Sequence, residues 1–317
     1  MIARILRTLV VFELLVAGGV AAWFALVLDW NAGPAVLAGV MAPLGTHATI
    51  VAINFGLATI AGSPTPPEHR LGPIAALGTY VREVTDSVRT FQFAQPWLAG
   101  RALPGEDTGA QPPNAPIPVV LVHGYFCNRQ LWRPFARWLA RRGHAVRGVD
   151  LEPVFGAIDG YAPLLAEAVE ELRTRTGATR VALVCHSMGG LAARAYLRAH
   201  PDAPVACVVT LGTPHRGTAH ARLGQGENAV QMRPDSAWLR TLSESEDADL
   251  RKRFTVVFSH QDNIVAPQAT QTLPDARTVA FSGLGHLSLA IDPRVWAVAA
   301  ESLDAAASAP DRSIRET

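Results

Sequence analysis

A chain of 317 residues is long enough for one large α/β domain plus an appendage, so length alone does not force a second globular unit. A net charge of +1 with only 17% charged residues gives no electrostatic footprint for nucleic acid and no acidic tail. The three cysteines, Cys127, Cys185 and Cys207, are odd in number and lack metal-ligand spacing. They support neither a disulfide framework nor a metal site and read as small buried apolar residues, so no cofactor or metal is expected.

The mean hydropathy is positive, and the excess sits in the first sixty residues. After Arg4 and Arg7 an apolar run extends from Thr8 to Leu28, broken only by Glu13, about the length of a membrane-crossing helix. A second run, Pro34 to Ala61, contains Pro43, His47 and Asn54, which a spanning helix tolerates only where they face protein or a cavity. A helical hairpin, one anchor with a re-entrant segment, and a cleaved signal peptide ending near Val20 to Ala22 are the three readings. The apolar stretch continues through Trp23 to Leu28, which fits a signal peptide poorly and favours two helices. In a hairpin, Arg4 and Arg7 precede the first run and Arg70, Arg82 and Arg89 follow the second, while the turn holds only Asp29. The positive-inside rule then leaves both ends cytoplasmic. Glu13 is either a partnered intramembrane carboxylate or a structural residue facing an interface.

A Pro-rich stretch from Ser63 to Pro67 ends this region. Between Pro73 and Phe93, Ile74, Leu77, Val81, Val84, Val88 and Phe91 recur at three- and four-residue steps and predict an amphipathic helix. Such a helix can pack on the remainder of the chain or lie on a bilayer surface. Leu103 to Pro118 is rich in Pro, Gly, Asn and Asp and reads as an exposed connector. The expected organisation is membrane-anchoring helices over 1–62, a linker with an amphipathic helix over 63–117, a catalytic domain over 118–308 and a tail over 309–317.

From Val119 onward apolar strands alternate with helices, the pattern of a doubly wound, mostly parallel α/β sheet. Strands are predicted at Val119 to Val122, Ala145 to Val149, Val181 to Cys185, Val205 to Leu211, Phe254 to Ser259 and Arg277 to Phe281. Helices are predicted at Pro134 to Arg142, Tyr161 to Thr176, Gly189 to Ala199 and Ala297 to Ala307. Arg129, Arg133, Arg137 and Arg141 recur every four residues, with Pro134 opening the helix and Arg129 outside it. They read as a solvated face, with anionic lipid headgroups as the alternative contact.

The decisive segment is Val181 to Gly190, VALVCHSMGG, followed by a helix-forming run. A buried strand that turns sharply into a helix strains the residue at the apex and lifts its hydroxyl above the sheet, which marks Ser187 as a candidate nucleophile. Small residues are needed two before and two after it, because strand and helix pack closely there. Gly189 trails as required, and Cys185 replaces glycine in the leading position. The bland alternative is a serine that merely caps the helix.

Together with His123-Gly124 after the first strand, the Leu211 to Gly217 turn, Asp262 with Ile264 and Val265, and Gly285-His286, this elbow resembles the bacterial triacylglycerol lipases, especially the minimal secreted type, within the α/β-hydrolase superfamily. The resemblance covers about Pro118 to Leu303 and leaves the apolar segments and linker outside it. It implies an oxyanion hole formed by the backbone N–H groups of Tyr125 and Met188. Residue reasoning agrees: Met188 opens a helix whose first N–H groups have no partner, and Tyr125 lies on the loop leaving the first strand.

The superfamily orders its residues as Ser, acid, His. Of the two histidines after the fifth strand, His286 sits in a glycine-rich loop after the last strand and is expected as general base, whereas His260 abuts a strand end. Asp262, a short turn past the fifth strand, is expected to orient the imidazole. Asp275 and Asp292 are its rivals; the first falls in a turn and the second follows the histidine. His123, His186 and His215 read as loop-holding residues. Met232, Trp238 and Leu239, in the variable region from Thr218 to Arg253, are candidate acyl-binding residues.

The expectation is a membrane-anchored serine ester hydrolase at a bacterial-type inner membrane, acting through an acyl-enzyme on lipid or long-chain esters, with no nucleic-acid partner. An acyltransferase of the same fold and a non-catalytic membrane scaffold are the alternatives.

Overall fold

The computed structural model describes residues 1–112 and 114–308, so the 309–317 tail lies outside the described residues. Two long apolar helices come first, α1 (Ile2–Leu26) and α2 (Ala32–Ile60), each long and apolar enough to cross a membrane. They pack on one another through small residues. A Cβ added at Gly39 would lie 2.5 Å from the Ala17 carbonyl oxygen and 2.9 Å from the Ala21 Cβ, so glycine permits the approach. The first helix begins at Ile2 rather than at the apolar run from Thr8. Its opening turns are held by protein, because Ile2 and Leu6 pack with Val154, Phe126 and Phe155.

The linker helix forms as its periodicity predicts, as α3 (Pro73–Val88), and continues through a π-helical segment (Arg89–Ala94) into α4 (Gln95–Leu98). Its inner face supplies the polar residues that the apolar helices need. Gln92 donates to Glu13 and lies 3.0 Å from His47 Nε2, while His47 Nδ1 pairs with Ser87 Oγ at 3.0 Å. Glu13 and His47 are therefore partnered by protein, the condition under which such groups are tolerated in a spanning segment. The connector after α4 differs from expectation: Leu103 is fully buried, and Gly105 accepts a hydrogen bond at 3.0 Å from Val146 on the sheet's edge strand. Glu106 Oε1 accepts another from Gly148 N at 2.8 Å, so this segment covers an otherwise open edge.

The remaining elements run β1 (Val119–Val122), α5 (Arg133–Arg141), β2 (Val146–Val149), α6 (Ala162–Thr176), β3 (Val181–His186), α7 (Met188–Ala199), β4 (Val205–Leu211), α8 (Glu227–Gln231), α9 (Ala237–Glu244), α10 (Ala248–Arg251), β5 (Phe254–Ser259), β6 (Arg277–Phe281), α11 (His286–Ile291) and α12 (Pro293–Ser308). The strands form one sheet in the order β2-β1-β3-β4-β5-β6, and every pair is parallel. β1 and β3 are buried along their whole length, which is why they read as unbroken apolar runs. Successive side chains point to opposite faces. Val120, Leu183 and Cys185 enter a core shared with α6, α7 and α9, whereas Leu121, Val184 and Val209 enter one shared with α5, α11 and α12.

The last helix starts at Pro293 rather than Ala297, because Asp292 caps it: its Oδ1 accepts from Arg294 N at 2.7 Å with proline in the first helical position. The arginine stripe is solvated only in part. Arg137 and Arg141 are exposed, but Arg129 is turned inward toward Asp150 and Glu106.

Candidate active site

Chain direction makes the site. From β1 the sheet is built outward on one side through β2 and on the other through β3, so the loops leaving β1 and β3 diverge at a topological switch point. The crevice at the carboxyl ends of such strands is where open α/β sheets bind ligands. The loop after β1 carries His123 to Phe126, and the turn after β3 carries Ser187.

Ser187 has φ 54° and ψ −128°, a conformation that L-residues other than glycine rarely adopt. The elbow is braced on both sides, by the Ser187 N–H donating to Leu211 O at 2.8 Å and by Thr213 Oγ1 donating to Ser187 O at 2.8 Å. The small-residue requirement is met physically. A Cβ at Gly189 would lie 2.5 Å from Val122 O, and one at Gly124 would lie 2.7 Å from the Ser187 Cβ. Cys185 is fully buried in the leading position, so cysteine fits where glycine was expected. Burial pushes its thiol, and those of Cys127 and Cys207, well up; Cys207 is half-buried rather than buried.

His286 opens α11 and lies 2.9 Å through Nδ1 from Asp262 Oδ2 and 3.1 Å from Oδ1. Asp262 is itself fixed, its Oδ1 accepting from the N–H groups of Ile264 and Val265 at 2.8 Å each. Burial alone would lower the imidazole's pKa, but the Asp262 charge and hydrogen bond, with the charge of Glu83, outweigh it and hold the pKa above the ordinary histidine value. His286 and the elbow are neighbours, the His186 ring lying 4.5 Å from the His286 ring. Among the described residues no hydrogen bond joins the Ser187 hydroxyl to His286 Nε2. Contacts of this kind are often long without substrate and tighten when it binds.

The rivals are occupied elsewhere. Asp292 pairs with Arg82 and Arg294, and Asp275 is exposed in a turn near Arg251. His260 stacks on His69 with ring centroids 4.3 Å apart. The other three histidines hold loops. His123 Nε2 accepts from Leu151 N at 3.0 Å, so its Nδ1 is the N–H that donates to Gly124 O at 2.9 Å. His186 Nε2 donates to His286 O at 3.0 Å, and His215 Nε2 pairs with Thr210 Oγ1 at 3.1 Å. Burial lowers the pKa of all three.

Met232 and Leu239 are buried in the same apolar cluster as Met188, with Trp238 and Tyr125 packed against it. Trp238 also donates from Nε1 to Asp159 at 2.8 Å. The aromatic side chains grouped along the β1 loop are Tyr125, Phe126 and Phe155, with centroids about 6 Å apart.

Sequence reasoning missed the groups behind His286. Glu83, on α3, is buried and accepts from Leu287 N at 2.8 Å and from Ser288 N at 3.1 Å. Ser288 Oγ lies 2.9 Å from Glu83 and 2.8 Å from Asp86. A hydroxyl has one proton to give, so both contacts are hydrogen bonds only when one carboxyl carries a proton. Burial raises the pKa of both, which favours that sharing. Asn263 Oδ1 accepts from His286 N at 2.9 Å, and Gly285 is pressed against the Glu83 carboxylate. A sequence signal existed: Glu83 and Asp86 are the acidic residues on the polar face of the predicted helix.

This sheet order, elbow and Asp–His pair define the α/β-hydrolase fold. A family model described as "alpha/beta hydrolase fold" matches residues 117–234. The chain resembles bacterial triacylglycerol lipases, being 38% identical over 176 residues to those of Pseudarthrobacter phenanthrenivorans and Burkholderia plantarii; the aligned part covers 52% of this chain and 52% and 47% of theirs. It thus spans about half the length of the curated relatives it matches. The mature Bacillus licheniformis lipase BlEst2 superposes with a TM-score of 0.55 at 20% identity, over 64% of this chain and 99% of that one. Aspergillus fumigatus lipase B gives 0.55 at 18% identity, over 64% and 54%.

Proposed function

We propose that this protein is a membrane-attached serine hydrolase that cleaves carboxylic esters of lipid or long-chain acyl type. Ser187 attacks the acyl carbonyl. His286 takes the hydroxyl proton and returns it to the leaving alcohol, and water then resolves the acyl-enzyme by the same route. Asp262 holds the tautomer that leaves Nε2 free as base and stabilises the imidazolium. The backbone N–H groups of Tyr125 and Met188 receive the oxyanion. Among the described residues neither has a protein acceptor, and Gly124 lets the loop that carries Tyr125 close on the serine.

The observation that carries this reading is a strained serine at the switch point beside a buried Asp–His pair, since strain and a buried ion-pairing histidine both cost stability and tend to be kept where chemistry uses them. The lipid substrate is supported by the apolar helices, whose ends border the site. The first turns of α1 pack against Phe126 beside Tyr125, and just past α2 the Ser63 N–H donates to Gln268, whose side chain in turn donates to Asp262 O. A carbonyl held near the bilayer surface then reaches Ser187 without its acyl chain leaving hydrocarbon. Met232, Trp238 and Leu239 back the wall that would hold that chain. The Arg4, Arg7, Arg70, Arg82 and Arg89 distribution favours the cytoplasmic side for the site under the positive-inside rule.

The test is fluorophosphonate labelling of the full chain in vesicles, with hydrolysis of p-nitrophenyl esters of graded acyl length. Labelling and turnover are expected to vanish in Ser187→Ala, by about 10⁶-fold in kcat, with long acyl chains preferred. Serine-independent turnover, or activity confined to acetate, overturns the nucleophile or the substrate class respectively. Acyl transfer to an added alcohol in place of hydrolysis would move the protein to the transferase alternative.

A further inference from the structure

The linker helix is inverted. On a helix in water the apolar stripe faces the protein and the charged face the solvent. On α3 the buried residues are Thr79, Glu83, Asp86 and Ser87, whereas Ile74, Leu77 and Val81 are 88%, 61% and 52% exposed. These three recur at steps of three and four and so form one continuous outward stripe. Further along, Phe93 and Trp97 are exposed as well, near Arg89 and Arg101.

We propose that α3 is seated in the lipid bilayer, its Ile74, Leu77 and Val81 stripe meeting acyl chains while its inner face grips the turn that carries His286. The occupant is lipid rather than another protein because of where α3 crosses the hairpin. Tyr80 donates to Ala48 O at 2.9 Å, His47 meets Ser87, and Gln92 reaches Glu13 near the middle of α1. These contacts put α3 at the depth of α1 and α2. On α1 and α2, Leu9, Phe12, Ile50 and Ile53 are exposed too, so the stripe adds to the apolar surface that the proposed spanning hairpin offers to hydrocarbon. Because the same helix holds Leu287 and Ser288 through Glu83, seating it fixes the catalytic imidazole relative to the membrane surface.

This inference rests on the hairpin spanning the membrane, so the test includes that reading separately. Nitroxide labels are placed at Ile74→Cys, Leu77→Cys, Val81→Cys, Leu15→Cys and Glu170→Cys, one per chain, in vesicles of phosphatidylcholine. The native thiols are buried or half-buried and pushed up, to about 12 for Cys127 and Cys207, which leaves the new cysteine as the reactive one. Collision with oxygen relative to a polar nickel chelate is expected to be several-fold higher at the three stripe positions and Leu15 than at Glu170. Lipid exposure at Leu15 without the stripe overturns this inference alone, and water exposure at both overturns the membrane reading as well. Exclusion of both reagents from the stripe would mean a protein cover, and also overturns it. In the same vesicles Leu77→Asp is expected to lower hydrolysis of a bilayer-held long-chain ester about tenfold and to leave p-nitrophenyl acetate hydrolysis unchanged; equal loss on both, or none on either, overturns the coupling.

Discussion

The sheet region and the N-terminal helices sort their side chains in opposite senses. Around the sheet, apolar side chains such as Val120, Leu183 and Leu121 point inward and charges such as Glu170 and Arg137 outward. In the helical region the order reverses: Glu83, Asp86, Gln95 and His47 are buried, while Phe12, Leu15 and Leu77 are exposed. The reversal is what the proposed bilayer setting requires, because polar groups gather inside where the surroundings cannot hydrate them. The two regions meet at the His286 turn, held from the sheet side by Asp262 and Asn263 and from the helical side by Glu83.

That division of labour can be broken most sharply at Asp262. If the sheet side carries the chemistry, Asp262→Asn, which keeps shape but favours the wrong imidazole tautomer, lowers kcat about 10⁴-fold in steady-state assays with little change in melting temperature. A loss near tenfold would mean that Glu83 does the orienting. The solvent contrast itself is tested by Leu15→Arg. On a surface facing water such a change alters stability by less than about 0.5 kcal/mol. At the centre of a spanning helix it costs about 3 kcal/mol, and much of the chain is expected to leave the membrane pellet on alkaline extraction.

The smallest expected effect is at Glu83. If His286 is the base, it must be neutral to accept the serine proton, so its raised pKa is expected to put the acid limb of kcat/KM above the ordinary value of about 6.5. Glu83→Gln removes one charge that raises it and keeps the hydrogen-bond shape. The acid limb is expected to move to lower pH and kcat to fall about tenfold, with KM unchanged. An unmoved limb would show that Glu83 carries a proton at neutral pH and acts through shape alone.

Much of the sheet region was legible before any coordinates. β1, β4, β5 and β6 begin and end at the expected residues; β1 and β5 are buried along their whole length, and a run buried on both faces has no alternative partner in water, whereas β6 is a partly exposed edge strand. The elbow was legible because strand, apex and Gly189 are contiguous. Asp262 and His286 were expected from the chain order that the resemblance implies, and the fold brings these two side chains to 2.9 Å from one another. The connector at Leu103 to Glu106 was misread because its composition resembles an exposed loop, and only the unpaired edge of β2 gives it a place to bind.

What the sequence determined by itself is whatever depends on neighbours in the chain: strand and helix periodicity, two apolar spans and a serine between a strand and a helix. Tertiary structure alone decided which face of α3 turns inward, since a helical stripe specifies that two faces differ and not which medium each will meet. It also decided that Glu83 supports a turn about two hundred residues further along the chain, a long-range contact to which no local pattern points.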